Sequence, residues 1–403
     1  MHSFPKPRIP LHPVISFRAR KKVDPNIPRP SAVTDAGHVE YTTSGRASIA
    51  RAFQKLNLRP PFTVLMPAYH CTAMVAPVIW AGGTPVFYKI HADLSVNLDD
   101  LKTKLNSSTR VLLITHYFGF PQDTVRIRAF CDANNLVLIE DCAHTFFGSE
   151  GGGPIGSLGH FAIASPWKFF PCFDGGCLVT AGAADTAHSL VTAGRGFELK
   201  AAANAIENAL HYGRLKAVSW LIRPLLNAKD MLWGWLRRNP QRAQPANAAM
   251  DGGLAFEPFW VDKRMSHFSR TVLRFADYRH IARTRRQNYL RLEEALKALP
   301  GCRPLLPKLR DGVVPYVFPL LVDEPHKVFA DLKQQGVPIL RFGEILWQGV
   351  DESICPLSTD YSRRVFQFPC HQELTRDEIE WMIERVTEAF TKAAQQRVRV
   401  ALA

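Results

Sequence analysis

Two apolar runs constrain the fold of this 403-residue chain more than any other feature. RVLLITHYF (110–118) and LVLIED (136–141) are almost uninterrupted by polar residues, as in parallel strands that helices cover on both faces. Between them QDTVRIRAFCDANN has the length of a crossover helix, the connection that parallel neighbours need. The chain therefore belongs to the α/β class, with a mostly parallel sheet.

The same alternation extends in both directions. SGRASIARAFQKLNL puts Ile49, Phe53 and Leu56 on one helical face, FTVLM and TPVFYKI read as strands, and HCTAMVAPVIWAGG between them reads as a helix ending in glycine. HFAIASP and GCLVT read as two further strands. Four segments result: a basic, Pro-rich lead (1–40), a large α/β domain (41–199), a helical insertion of mixed basic and apolar residues (200–254), and a C-terminal part (255–403). The last part opens on one long helix, MSHFSRTVLRFADYRHIARTRRQNYLRLEEALKAL, and continues into a smaller α/β domain with YVFPLLV as strand and TRDEIEWMIERVTEAF as final helix.

Net charge is +14, and most of the excess sits in the lead and the insertion. A basic excess suits nucleic acid, anionic lipid or phosphorylated ligands. No zinc finger, RNA-binding aromatic motif or helix-turn-helix signature accompanies it, so nucleic acid is set aside. The insertion reads either as a helical pair packed on protein or, over 205–240, as a basic amphipathic helix in peripheral contact with a membrane. Prolines interrupt the N-terminal apolar stretch where a secretion signal needs continuity, and no apolar run reaches the roughly 18 residues of a membrane span. Eight cysteines show neither zinc spacing nor disulfide density, so no metal is expected and a reducing cytoplasm fits best.

Candidate chemistry lies at strand ends, where open parallel sheets bind ligands. Asp141 closes LVLIED and Lys168 follows HFAIASP, so both can face one crevice. They form either a structural salt bridge or a pyridoxal 5'-phosphate (PLP) site, in which a lysine forms the Schiff base and an acid pairs with the pyridinium nitrogen. Ser44 and Gly45 open a helix, where backbone N–H groups attract a phosphate, although Ser-Gly also serves as a plain helix cap.

TTSGRAS, MPAYHCTAMVAPVIWAGGTPVFYKI, IEDCAHTFFGSEGGGPIGSLGHFAIASPWKFFPCFDGGCLVT, DKRMSHF and FPCHQELTRDEIE occur in an order that resembles the DegT/StrS-type sugar aminotransferases, which are fold-type I PLP enzymes. The resemblance implies that Lys168 forms the Schiff base and, once released, serves as acid and base of the proton shift. It implies that Asp141 pairs with the pyridine nitrogen, that His144 lies by the ring and that the Ser165 hydroxyl binds the phosphate. It also implies a homodimer with shared active sites.

Three positions depart from the family pattern. Arg46 replaces the threonine of Ser-Gly-Thr, and Asp262 stands where a neighbouring subunit normally donates an asparagine to the phosphate. Arg46 is expected to compensate, by binding the phosphate or by pairing with Asp262. Cys71 stands where an aromatic residue usually stacks on the ring. Arg341 and His371 are candidates to face substrate, with surface or packing roles as the alternative.

The resemblance points to transfer of an amino group from an amino acid, by family likeness glutamate, to a keto sugar linked to a nucleotide, in polysaccharide or secondary-metabolite biosynthesis. Two rivals stay open: a PLP-dependent sugar dehydratase, although relatives of that kind replace the lysine, and a PLP-binding scaffold without turnover.

Overall fold

A computed structural model describes residues 4–16, 26–182, 189–216, 219–220, 224 and 256–401. Its large sheet is built from β1 (His38–Thr42), β2 (Phe62–Pro67), β3 (Gly83–Tyr88), β4 (Thr109–Thr115), β5 (Val137–Asp141), β8 (Phe161–Ala164) and β9 (Gly176–Thr180). A small hairpin of β6 (Ser149–Glu150) and β7 (Gly153–Pro154) stands apart. The sheet order is β1-β9-β8-β5-β4-β2-β3, with β3, β2, β4, β5 and β8 mutually parallel and β9 antiparallel to both of its neighbours.

The apolar runs explain this arrangement. Leu112, Ile114 and Leu138 enter one core cluster while Val111, Leu113 and Ile139 enter another, so alternate side chains of β4 and β5 are buried on opposite faces. Helix α1 (Gly45–Leu56) buries Ile49 and Phe53 in the second cluster and stops at Asn57, whose φ of 45° is left-handed. HCTAMVAPVIWAGG is helical for less of its length than its pattern predicts. A 3-10 turn over Thr72–Met74 comes first, and α2 (Val75–Trp80) holds Pro77 in its first turn, where no intrahelical N–H bond is lost. Helices α3 (Leu98–Lys104), α4 (Thr124–Ala133) and α5 (Arg195–His211) follow. Helix α5 begins before residue 200, and most of 217–254 lies outside the described residues, the expected membrane-contacting stretch included. Among the described residues no helix is long and apolar enough to cross a membrane.

The long helix expected after 265 is two helices, α6 (His267–Arg274) and α7 (Tyr278–Leu296). Asp277 divides them by accepting the N–H of His280 at 3.0 Å, a capping bond that competes with helix continuation. The second sheet contains β10 (Cys302–Pro304), β11 (Val317–Val322), β12 (Leu340–Arg341) and β13 (Val365–Pro369) in the order β10-β11-β13-β12, antiparallel throughout. Helices α8 (Pro325–Gln334), α9 (Pro356–Arg364) and α10 (Arg376–Ala401) complete this part, and the Thr375 hydroxyl caps α10 by accepting the N–H of Glu378 at 3.1 Å.

Part of the N-terminal lead is docked on this C-terminal part, against the end of α8 and the side of α10. The Arg8 N–H donates to Gly336 O at 2.9 Å, the Arg8 guanidinium lies 5.0 Å from the Trp381 ring centroid, and Ile9 is buried in the main core.

Candidate active site

Strand β8 ends at Ala164, and Pro166 then begins a 3-10 turn that carries Lys168. Proline suits that first position because its φ is preset and its missing N–H has no partner to lose. The Lys168 side chain emerges half-buried, with Nζ 5.8 Å from the Trp167 ring centroid and 5.6 Å from that of Tyr316. Burial lowers the pKa of its amine and Arg46 lowers it further, while Asp141 and Cys71 oppose the shift. The amine is thus biased toward its neutral, nucleophilic form.

Asp141 ends the neighbouring strand β5 and is 4% exposed. Its Oδ1 accepts the Ala143 N–H at 2.8 Å, and among the described residues it has no ion pair. Burial raises its pKa, against the pull of Lys168, the Ala143 N–H and His116. A brace lies behind it. His116 donates its backbone N–H to Asp141 O at 3.1 Å, while its ring accepts the Gln122 N–H on Nδ1 and bonds Glu140 through Nε2 at 2.9 Å. With Nδ1 accepting, Nε2 carries the proton and donates it to the carboxylate.

His144 stacks on Tyr316 (4.9 Å, 25°) and Phe118 (5.7 Å, 15°) and meets the edge of Phe342 at 4.8 Å. Its Nδ1 is buried and has no hydrogen-bond partner among the described residues, and burial followed by the charge of Lys168 pushes its pKa well below the usual range. An aromatic plate of neutral charge therefore stands beside the amine and the acid.

The phosphate end is drawn together by close packing. A Cβ on Gly45 would lie 2.4 Å from the Ser165 Oγ, so only glycine lets α1 begin so near that hydroxyl. The Ser44 Oγ caps α1 by accepting the Ala47 N–H at 3.2 Å, which realises the capping alternative for that side chain. Arg46 lies in the same first turn, its guanidinium pKa lowered by burial with Cys71 opposing. Cys71 is half-buried just ahead of the 3-10 turn, within electrostatic reach of Lys168 and Arg46.

The remaining candidates are placed as follows. Asp262 pairs with Arg51 (Nη1–Oδ1 3.0 Å), whose Nε also meets Glu40 at 2.9 Å, so the acid is engaged one turn beyond Arg46. His371 is in the packing arrangement held as its alternative: its buried ring donates from Nε2 to Pro10 O at 2.9 Å and accepts the Glu373 N–H on Nδ1. Arg341 pairs with Glu344 and lies 4.2 Å from the Phe329 ring centroid. Three site neighbours escaped the sequence reading, namely His12, Arg285 and Tyr316. Only Tyr316 left a signal, as an aromatic at the mouth of strand YVFPLLV.

The residues fit PLP. A buried acid without an ion pair, an imidazole with an orphan nitrogen, a desolvated amine and a glycine-only approach at a helix N-terminus are each answered by a pyridine ring bearing an aldehyde and a phosphate.

Residues 31–213 match the DegT/DnrJ/EryC1/StrS aminotransferase family model. The GDP-perosamine synthase of Vibrio cholerae is 29% identical over 134 residues, 33% of this chain and 36% of that protein. The dTDP-4-dehydro-2,3,6-trideoxy-D-glucose 4-aminotransferase of Saccharopolyspora spinosa is 31% identical over 136 residues, 34% of each. The matched stretch thus spans about a third of the length of these curated relatives. Among solved structures, the Helicobacter pylori aminotransferase involved in the biosynthesis of pseudoaminic acid overlays with a TM-score of 0.61 at 13% identity, covering 89% of both chains. A Streptococcus pneumoniae chain solved in a PLP-form overlays at 0.61 with 16% identity, covering 88% of this chain and 87% of that one. These overlays place the chain in the fold of these aminotransferases, a mainly parallel α/β sheet with a smaller C-terminal domain.

Proposed function

We propose that this chain, whose residues 31–213 match the DegT/DnrJ/EryC1/StrS aminotransferase family model, is a PLP-dependent aminotransferase of that kind, moving an amino group from an amino acid to a keto sugar. The observation that carries the reading is the pairing of a desolvated Lys168 amine with the buried, ion-pair-free carboxyl of Asp141 at adjacent strand ends. A nucleotide-linked acceptor is supported by the relatives named above, whose names carry GDP- and dTDP-linked sugars, and glutamate as donor by the likeness in the motifs.

When bound, the cofactor supplies an electron sink for the carbon that bears the amino group. Asp141 would hold the pyridine nitrogen and keep it protonated, while His144 would lie along the ring. Ser165 and the first turn of α1, with Arg46 supplying the cation, would hold the phosphate. Lys168 would act as the proton carrier: its neutral amine would take the proton from the amino-bearing carbon and deliver it across the intervening nitrogen, a 1,3-shift. The aromatic walls of Trp167 and Tyr316 help to desolvate that amine, which favours its uncharged form.

The homodimer with shared active sites, a role in polysaccharide or secondary-metabolite biosynthesis and a cytoplasmic setting belong to the same proposal. All eight cysteines are unpaired, which supports a reducing compartment. Mixing the purified protein with PLP tests the reading: a visible absorbance band is expected, and L-glutamate or L-glutamine should bleach it. A band that no amino donor bleaches would favour the scaffold without turnover.

A further inference from the structure

The N-terminal segment crosses from the C-terminal part to the lysine-bearing turn. It is anchored by the Arg8 N–H on Gly336 O and by the bond from His371 Nε2 to Pro10 O, both 2.9 Å. Two residues beyond Pro10, the His12 ring meets Trp167 edge-on at 4.6 Å and 81°. Trp167 immediately precedes Lys168.

The His12 Nδ1 is buried and has no hydrogen-bond partner among the described residues. Burial first, then the charges of Lys168 and Arg285, lower its pKa to about 3, so the ring is neutral and one nitrogen lacks a partner. A buried polar atom in that condition costs free energy that a ligand can recover. The two groups whose charge acts on His12, Lys168 and Arg285, are both cationic, so the field at His12 favours an anion.

Any amino donor must bring its amino-bearing carbon within reach of Lys168 Nζ. The donor's α-carboxylate is bonded to that same carbon and so arrives within a few ångströms of it.

We propose that His12 binds the α-carboxylate of the amino donor, donating a hydrogen bond from Nδ1. The inference rests on the aminotransferase reading. It makes the docked N-terminal segment a wall of the active site and gives the loop after β13 a role in donor recognition, through the anchor at His371.

The test measures cofactor bleaching as a function of L-glutamate concentration in wild type, His12→Ala and His12→Asn. Both variants should show the wild-type absorbance band with PLP. His12→Ala should raise the apparent dissociation constant for L-glutamate about tenfold with little change in the limiting rate, the worth of one hydrogen bond to a charged group. His12→Asn, whose amide N–H sits at the same reach as Nδ1, should recover affinity to within about threefold of wild type. Unchanged affinity in His12→Ala, or an asparagine variant as weak as the alanine one, would reduce His12 to packing on Trp167. Wild-type protein whose band no donor bleaches would overturn the aminotransferase reading and this inference with it, before any variant is compared.

Discussion

The Arg285 Nη2 donates to the carbonyl oxygen of Lys168 at 3.0 Å, so a cation from α7 holds the backbone of the residue that carries the amine. Its Nε donates to Gln372 at 3.0 Å and its Nη1 to the carbonyls of Tyr316 and Pro315 at 3.0 and 3.3 Å. The guanidinium is fully buried and, among the described residues, has no carboxylate partner, and burial lowers its pKa to about 10. Arg285 is a positioning residue that ties the lysine turn to the mouth of β11.

Replacing Arg285 by Met should therefore strand several buried acceptors at once. At about 1 kcal/mol or more for each unsatisfied group, a loss of at least about 3 kcal/mol is expected in denaturant unfolding. Arg285→Lys should recover little of it, because one ammonium cannot reach carbonyls that the planar fork spans. A lysine variant as stable as wild type would show that charge alone, not the fork, is what the site uses.

Lys168→Met should separate stability from function. Burial already disfavours the ammonium form, so a thioether of similar length should leave the melting temperature of the protein at or above that of wild type. Turnover should fall by at least about a thousandfold, since the proton carrier is gone. A variant that melts well below wild type would mean that the charge interaction between Lys168 and Asp141 supports the fold, which is the structural alternative that their spacing left open.

Gly45→Ala tests the close approach at the phosphate end. Its Cβ would fall 2.4 Å from the Ser165 Oγ, so either the hydroxyl or the start of α1 must shift. Alanine favours a helix over glycine by up to about 1 kcal/mol, which should offset much of that strain in the folded protein. PLP affinity should nevertheless drop at least about tenfold, because the N–H groups and the hydroxyl no longer converge. Equilibrium titration of the absorbance band checks this, and unchanged affinity would move the phosphate elsewhere.

Arg46→Ala addresses the departure from the family's Ser-Gly-Thr. Asp262 is bonded to Arg51, and direct contact of Arg46 with the phosphate is the form of compensation that this variant tests. Removal should weaken PLP about ten- to a hundredfold while pyridoxal, which lacks the phosphate, binds as it does to wild type. Equal weakening toward both compounds would place Arg46 against another part of the site.

What the sequence made legible follows from where physical constraints are local. Strands β4 and β5 could be read directly because burial on both faces forces an unbroken apolar run, and Asp141 and Lys168 because strand ends are where such sheets bind ligands. Arg285 was hidden within RTRRQN, where arginines read as a solvated helical face, since nothing local marks the one that turns inward. His12 was hidden in a Pro-rich lead that carries no periodicity and takes its place only by docking on Gly336 and His371. The same docking explains why His371, read as a substrate candidate, instead anchors backbone. The split between α6 and α7 came from a single capping aspartate, Asp277, which interrupts a pattern that is otherwise continuous.

Buried neutral histidines set the last prediction. Burial lowers the pKa of His70 to about 4 and that of His12 to about 3, and it pushes His144 and His371 well below the usual range. Each folded-state value lies below the unfolded value of 6.5, so these groups cost nothing above that pH. As pH falls through 6.5 the unfolded chain binds protons that the folded chain refuses, and stability declines by up to about 1.4 kcal/mol per pH unit for each such group. Asp141 and Asp174, whose carboxyls are raised by burial, work against the decline between their raised folded values and the unfolded value of 3.8. The melting temperature should thus be level from pH 8 to 7 and fall steeply between pH 6.5 and 5. His70 accepts the Trp347 N–H on Nε2 and donates from Nδ1 to Ala68 O, so His70→Gln should lower stability at pH 7.5 but shallow the acid slope. A melting temperature at pH 5 equal to that at pH 7.5 would show that these rings accept protons in the folded protein.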